Sequence, residues 1–189
     1  MIALALLSCK GKGGSGDSVE NLQWAETDIS ELQMNPVDVF AKDWMALAAG
    51  SEASFNAMTI SWGTLGELWN KPVVIVFVSP DRATKKFMDE NKYFTVSSFP
   101  NAAKDALVYI GSKSYRDNPD KVADAGLHVE FSPLGNPLFK EAELSFECRK
   151  IYAEAFDPAL LPEEVKPMYD KMAVHVMYIG EIVKVWEKR

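Results

Sequence analysis

The run Val73-Val74-Ile75-Val76-Phe77-Val78 constrains the fold more than any other stretch of this chain. Its β-branched and aromatic side chains point to both sides of an extended backbone. It therefore reads as a strand covered on both faces. Upstream, residues 53–62 alternate. Phe55, Ala57, Thr59 and Ser61 share one face; Asn56, Met58, Ile60 and Trp62 share the other. Gly63 and Gly66 are expected to break this segment before Pro72 opens the next. Downstream, Ser79-Pro80 reads as a helix start, with Ser at the N-cap and Pro at the first helical position. That helix is expected to turn Phe87 and Met88 inward and to end near Asn91.

The remaining segments are short and punctuated. Residues 43–50 and 93–99 read as strands. Pro100-Asn101 opens a helix over 102–110, closed by Gly111. Asn118-Pro119 starts a shorter helix that Gly126 ends. A short strand over 127–131 leads to a turn at 132–136. Residues 141–152 alternate cleanly: Ala142, Leu144, Phe146 and Cys148 face one way, and Glu143, Ser145, Glu147 and Arg149 the other. Cys148 is thus expected in the core. Residues 157–167 hold three prolines and read as a loop. A last long strand spans 174–186, where Gly180 signals a bulge or a close backbone approach. Six or seven strands with a few helices and no βαβ rhythm favour an antiparallel barrel with helices packed outside.

At 189 residues, 48% of them apolar, the chain suits one domain with a full core. Asn35-Pro36 marks a boundary. Residues 1–20 read as a signal or flexible tail, 21–36 as a lead-in, and 37–189 as the folded domain. The net charge of −7 leaves no global footprint for nucleic acid or an anionic membrane. Two cysteines and two histidines do not supply a disulfide framework or a His/Cys metal centre. No Gly-x-Gly-x-x-Gly, P-loop, Gly-x-Ser-x-Gly or His-Glu-x-x-His motif is present. Leu6-Leu7-Ser8-Cys9 resembles the lipobox of bacterial lipoproteins, in which the cysteine is acylated, but no basic residue precedes it. Cys9 is either a lipidation site, placing the chain on a bacterial membrane facing the periplasm, or an incidental residue of a cytoplasmic protein's tail.

Two stretches look placed for a ligand. In 79–86, Ser79 and Thr84 offer hydroxyls, Arg82 a guanidinium fork, and a helix N-terminus free N–H groups. The alternative is a capped helix with solvated basic residues. In 56–62, Asn56, Thr59, Ser61 and Trp62 can hydrogen-bond and stack on a planar heterocycle; the alternative is a half-exposed strand. Thr95, Ser97 and Ser98, followed by Phe99, either close a phosphate pocket or belong to an edge strand. His175, alone on its strand, is either structural or functional.

Together these motifs resemble a known family. Asn56-Ala57-Met58-Thr59-Ile60-Ser61-Trp62-Gly63, Leu68-Trp69-Asn70-Lys71-Pro72 and Val78-Ser79-Pro80-Asp81-Arg82-Ala83-Thr84 are similar to those of the flavin reductase-like, FMN-binding split-barrel proteins. The segments at 93–97, 111–117 and 147–149, and His175 with 178–182, follow in the expected order. The resemblance implies a six-stranded antiparallel split β-barrel with peripheral helices, forming a homodimer that binds FMN. It implies that Asn56, Ala57, Met58, Thr59, Ile60, Ser61 and Trp62 line the isoalloxazine. Ser79, Arg82 and Thr84 would hold the phosphate, assisted by Ser97, Ser98 and Phe99, with Lys113 and His175 toward the open face of the flavin. The implied activity is an oxidoreductase that passes hydride or electrons from NADH, NADPH or a redox partner protein through bound flavin. The alternative is a split-barrel lipoprotein that holds FMN or another planar ligand without turnover.

Overall fold

The computed structural model describes residues 23–189, so the expectation for Cys9 lies outside the described residues. The strands are β1 (Trp24–Thr27), β2 (Met45–Ser51), β3 (Ser54–Ile60), β4 (Gly63–Glu67), β5 (Pro72–Val78), β6 (Tyr93–Ser98), β7 (Val129–Phe131), β8 (Pro137–Phe139), β9 (Leu144–Ala155) and β10 (Val176–Lys188). The helices are α1 (Pro36–Asp38), α2 (Thr84–Glu90), α3 (Lys104–Ser112), α4 (Lys121–Asp124) and α5 (Lys166–Tyr169). Eight strands form one sheet along the path β3-β2-β6-β9-β10-β5-β4, with β1 also paired to β10. Every pairing is antiparallel. The path ends at β3 on one side and β4 on the other, the arrangement of a split barrel. The six consecutive strands from β3 to β5 along the path match the six of the implied barrel. The lead-in supplies β1, and residues 63–67 supply β4.

Two apolar layers follow from the alternation. Met45, Leu47, Met58, Ile60, Val74, Val76, Phe94, Phe146, Cys148 and Tyr178 pack into one cluster from the facing sides of six strands. The opposite face of β2 and β3 carries Ala46, Ala48 and Ala57, which pack with Leu107 and Ile110 of α3 and Val122 of α4. Small side chains there let the helix approach the sheet closely. Each large apolar side chain fully buried in either layer contributes roughly 1.5–3 kcal/mol. Met88 of α2 joins the first cluster, which ties that helix to the barrel interior. Cys148 is fully buried there, and burial pushes its thiol well above the usual range.

Four expectations need correction. The first strand does break, after Ile60, but Gly63 and Gly66 lie in a strand of their own, β4, paired to β5; a Cβ on Gly63 would lie 2.3 Å from Cε1 of Phe40, so the glycine admits that ring. The helix after β5 starts at Thr84 rather than at Pro80, because 79–82 form a turn in which Arg82 N–H donates to the Ser79 carbonyl at 3.0 Å. Helix α3 continues through Gly111 to Ser112 instead of closing before it. The polar face expected on β9 is buried as well: Glu147 is 0% exposed, its carboxylate accepting from Ser132 Oγ, Asn136 Nδ2 and Trp186 Nε1.

Gly180 behaves as its place in the strand suggests. The β9–β10 register shifts between Ile179 and Gly180. A Cβ at Gly180 would stand 2.4 Å from Cζ of Phe94 and 2.8 Å from Cβ of Cys148. Gly180→Ala is therefore expected to lower the unfolding free energy by about 1–3 kcal/mol, the usual cost of overpacking a dense core. Urea denaturation measures it, and an unchanged midpoint would show that Phe94 moves aside freely.

Candidate functional site

Where the end strand β3 meets the turn before α2 and the end of α3, the surface folds into a cleft of about 80 Å³. Asn56, Arg82, Thr84, Ser112, Lys113, Ser114, Tyr115 and Lys121 line it, with Asp81 as its one carboxylate. Three cations and several hydroxyls in so small a space make an anion site by chemistry alone. The charge comes from side chains. The N–H groups of the second and third residues of α2 are already taken: Lys85 donates to the Arg82 carbonyl at 3.0 Å and Lys86 to the Ala83 carbonyl at 3.2 Å.

The cations are held by the last turn of α3, whose carbonyls lack helical partners. Lys121 Nζ donates to the carbonyls of Ile110 at 2.9 Å and Lys113 at 3.0 Å. A terminal nitrogen of Arg82 donates to the Gly111 carbonyl. Burial, and then the neighbouring Arg82 charge, push Lys121 down to about 8. Arg116 closes the outer side of the turn by donating to the Asp81 carbonyl at 3.2 Å.

Asn56 gives the cleft its second requirement. Its Nδ2 donates to Thr84 Oγ1 at 2.9 Å, while its buried Oδ1 has no donor. A buried acceptor left unpaired costs about 1–3 kcal/mol. A ligand that suits this cleft carries a hydroxyl donor for Asn56 next to an anion for the cations. A phosphorylated polyol meets both conditions.

Beyond Ser112 the surface opens into a second hollow of about 350 Å³, lined by Trp44, Thr59, Ser61, Leu107, Val108 and Gly111. Thr59 Oγ1 donates to the Leu107 carbonyl, clamping β3 to α3 along this wall. Trp44 has φ 65° and ψ 159°, a region bulky residues avoid at a cost of roughly 1–3 kcal/mol. Lys104 lies over its ring at 3.7 Å and donates to the carbonyls of Lys42 and Asp43, which holds that conformation. At the end of β3, Trp62 packs against His175 with ring centroids 4.9 Å apart, and Tyr169 meets the same imidazole edge-on. Burial lowers the His175 pKa, so the ring is neutral at neutral pH.

The structure brings Asn56, Arg82, Thr84 and Lys113 into one cleft, puts Thr59 and Ser61 in the adjoining hollow, and places Trp62 beside His175. It separates others. Ala57, Met58 and Ile60 are buried in the two apolar layers. Ser79 Oγ accepts from Asp81 N–H within its own turn at 3.3 Å. Ser97 is fully buried and shares a hydrogen bond with Ser145 at 2.8 Å, and Ser98 and Phe99 border a different hollow, under Leu32 and Met34. The residues that sequence reasoning missed are Lys121, Ser112, Ser114 and Trp44. Ser112 and Ser114 flank Lys113, and that local run of hydroxyls was a usable signal. Lys121 gave none, since a lysine opening a four-residue helix ordinarily faces water.

Residues 40–189 match the model of the flavin reductase like domain. Similar solved structures include an FMN-binding domain of a flavin reductases-like enzyme from Shewanella baltica (TM-score 0.65, 16% identity, covering 88% of this chain and 78% of that one). A flavoredoxin from Methanosarcina acetivorans is similar too (TM-score 0.62, 21% identity, 83% and 75% covered). So is an NADH:FAD oxidoreductase from Streptomyces globisporus, in complex with NAD and FAD fragments (TM-score 0.59, 15% identity, 78% of each chain covered). An uncharacterized protein of Aeropyrum pernix is 27% identical over 127 residues, and the match takes in 48% of that protein's length.

The Asn56–Thr84 bond is expected to matter for stability independently of any ligand. Thr84→Val removes the acceptor of Asn56 Nδ2 and leaves the buried amide with neither partner. A loss of about 1–3 kcal/mol in urea unfolding is expected. Stability equal to that of the unaltered chain would mean that water serves Asn56 equally well.

Proposed function

Because the chain belongs to the flavin reductase-like family, we propose that it is a flavin-dependent redox protein that holds FMN across the cleft and the adjoining hollow. The observation that carries this reading is the donorless Oδ1 of Asn56 beside the cations Arg82, Lys113 and Lys121. FMN has the matching parts in the matching order: a phosphate, a ribityl chain of hydroxyls, and a planar ring. Arg82, Lys113 and Lys121 would take the phosphate, Asn56 a ribityl hydroxyl, and Thr59, Ser61, Trp44 and Trp62 the ring.

Bound flavin supplies hydride or electron transfer, with NADH, NADPH or a redox partner protein as the source of electrons. The chain's own residues position and shield it. Leu107, Val108 and Trp44 give the hollow apolar walls for the ring to lie against. Neutral His175, packed on Trp62, offers a ring edge for hydrogen bonding without placing a charge there. A second copy of the chain would cover the exposed Trp62, Met168 and Met172. Light scattering of the purified protein reads this directly: a homodimer mass is expected, and a monomer would remove the pairing.

Purified protein mixed with FMN is expected to bind it and to quench its fluorescence. Arg82→Ala is expected to weaken that binding by about 10- to 100-fold, since a charge-assisted contact is worth roughly 1.5–3 kcal/mol. Unchanged affinity would put the phosphate elsewhere. Anaerobic addition of NADH or NADPH is expected to bleach the bound flavin if nicotinamide is the direct donor. Failure with both would leave a protein donor as the source.

A further inference from the structure

Lys121 is the most deeply placed charge of the cleft. It is 2% exposed, and two of its N–H donors are committed to the Ile110 and Lys113 carbonyls. An ammonium has three, so one remains. Capping a helix end does not require a charge, because water or a neutral donor satisfies a carbonyl equally. Burying an ammonium without a counter-ion is costly, and here it sits beside a second cation, Arg82. Two anchored cations with donors to spare, facing one small cleft, suit an anion that carries more than one charge.

On the flavin-nucleotide reading above, we propose that Lys121 restricts this cleft to a terminal phosphomonoester, so that the chain takes FMN in preference to riboflavin and FAD. A phosphomonoester brings nearly two charges and three terminal oxygens to these cations. Each phosphate of FAD carries a single charge and must lead on to another group. The three cations of the cleft are matched by one phosphate, and the second phosphate and adenosine of FAD would lie outside it. Riboflavin brings no charge and leaves both cations without a counter-ion. Ring and ribityl chain are common to all three ligands, so differences among them isolate the phosphate end.

Protonation gives an independent handle. With Lys121 lowered to about 8 in the free protein, a bound dianion raises that value. FMN affinity therefore falls as pH rises through this range, while riboflavin lacks the phosphate that couples to it. The other charged or titratable groups about the cleft are Asp81, Arg82, Lys113 and Tyr115, with Arg116 behind Asp81, Asp120 at the N-cap of α4 and Asp124 on α4 bonded to Asn118. Lys121→Arg separates Lys121 from them, since a guanidinium keeps its proton.

The test is a set of fluorescence titrations of the full chain with riboflavin, FMN and FAD at neutral and alkaline pH. The unaltered protein is expected to bind FMN at least about tenfold more tightly than the other two, as one charge-assisted contact allows. Lys121→Met is expected to remove most of that preference, with FMN affinity falling by more than riboflavin affinity. The preference is expected to narrow at alkaline pH in the unaltered protein and to persist in Lys121→Arg. FMN bound without preference over riboflavin overturns the role of Lys121 and leaves the flavin reading standing. So does a preference that survives Lys121→Met. Should Lys121→Met not fold, a preference insensitive to pH in the unaltered protein overturns it as well. Failure of the unaltered protein to bind either riboflavin or FMN overturns the flavin reading, and with it the proposal.

Discussion

The last turn of α3 presents carbonyls that the helix cannot satisfy, and charged side chains from two other segments satisfy them. Arg82 reaches the Gly111 carbonyl from the turn after β5, and Lys121 reaches those of Ile110 and Lys113 from α4. These bonds fasten three separate pieces of chain to one another. They also leave cations pointing into a small cleft with donors to spare. The local structural need and the anion site are thus the same set of contacts. Losing either side chain would loosen the helix end and weaken the cleft together.

The sheet sets where that helix end stands. Alanines at 46, 48 and 57 let α3 lie close to β2 and β3, and the Thr59 hydroxyl holds the Leu107 carbonyl. β3 is an end strand, so its flank is open to the cleft and not covered by another strand. Asn56 stands on that strand, bonded to Thr84 at the start of α2. A split barrel differs from a closed one in this respect: the gap in the sheet exposes polar groups that pairing would otherwise consume.

Much of this was legible in the sequence because strand periodicity is a local signal. The runs at 73–78 and 54–60, the alternation after 141 and the bulge at Gly180 all follow from side-chain pattern and glycine chemistry. Arg82 and Thr84 stand out at the junction of a strand and a helix, Asn56 as a polar residue on a strand face, and Lys113 through the family resemblance. What was not legible depends on distant partners. Gly63 reads as a breaker until Phe40 is seen packed where its side chain would be. Glu147 reads only as part of the polar face of its strand until Ser132, Asn136 and Trp186 surround it. Ser97 looks available until Ser145 of the neighbouring strand takes its hydroxyl. Lys121 is the clearest case, because only the packing of α4 against α3 turns it inward.

A single ligand is expected to satisfy the cations and the orphaned Asn56 oxygen at once. A crystal structure of the protein grown with FMN tests it directly. The account predicts the phosphate among Arg82, Lys113 and Lys121, with a ribityl hydroxyl donating to Asn56 Oδ1. Flavin bound with its phosphate elsewhere, such as in the hollow beside Ser98 and Phe99, would contradict it.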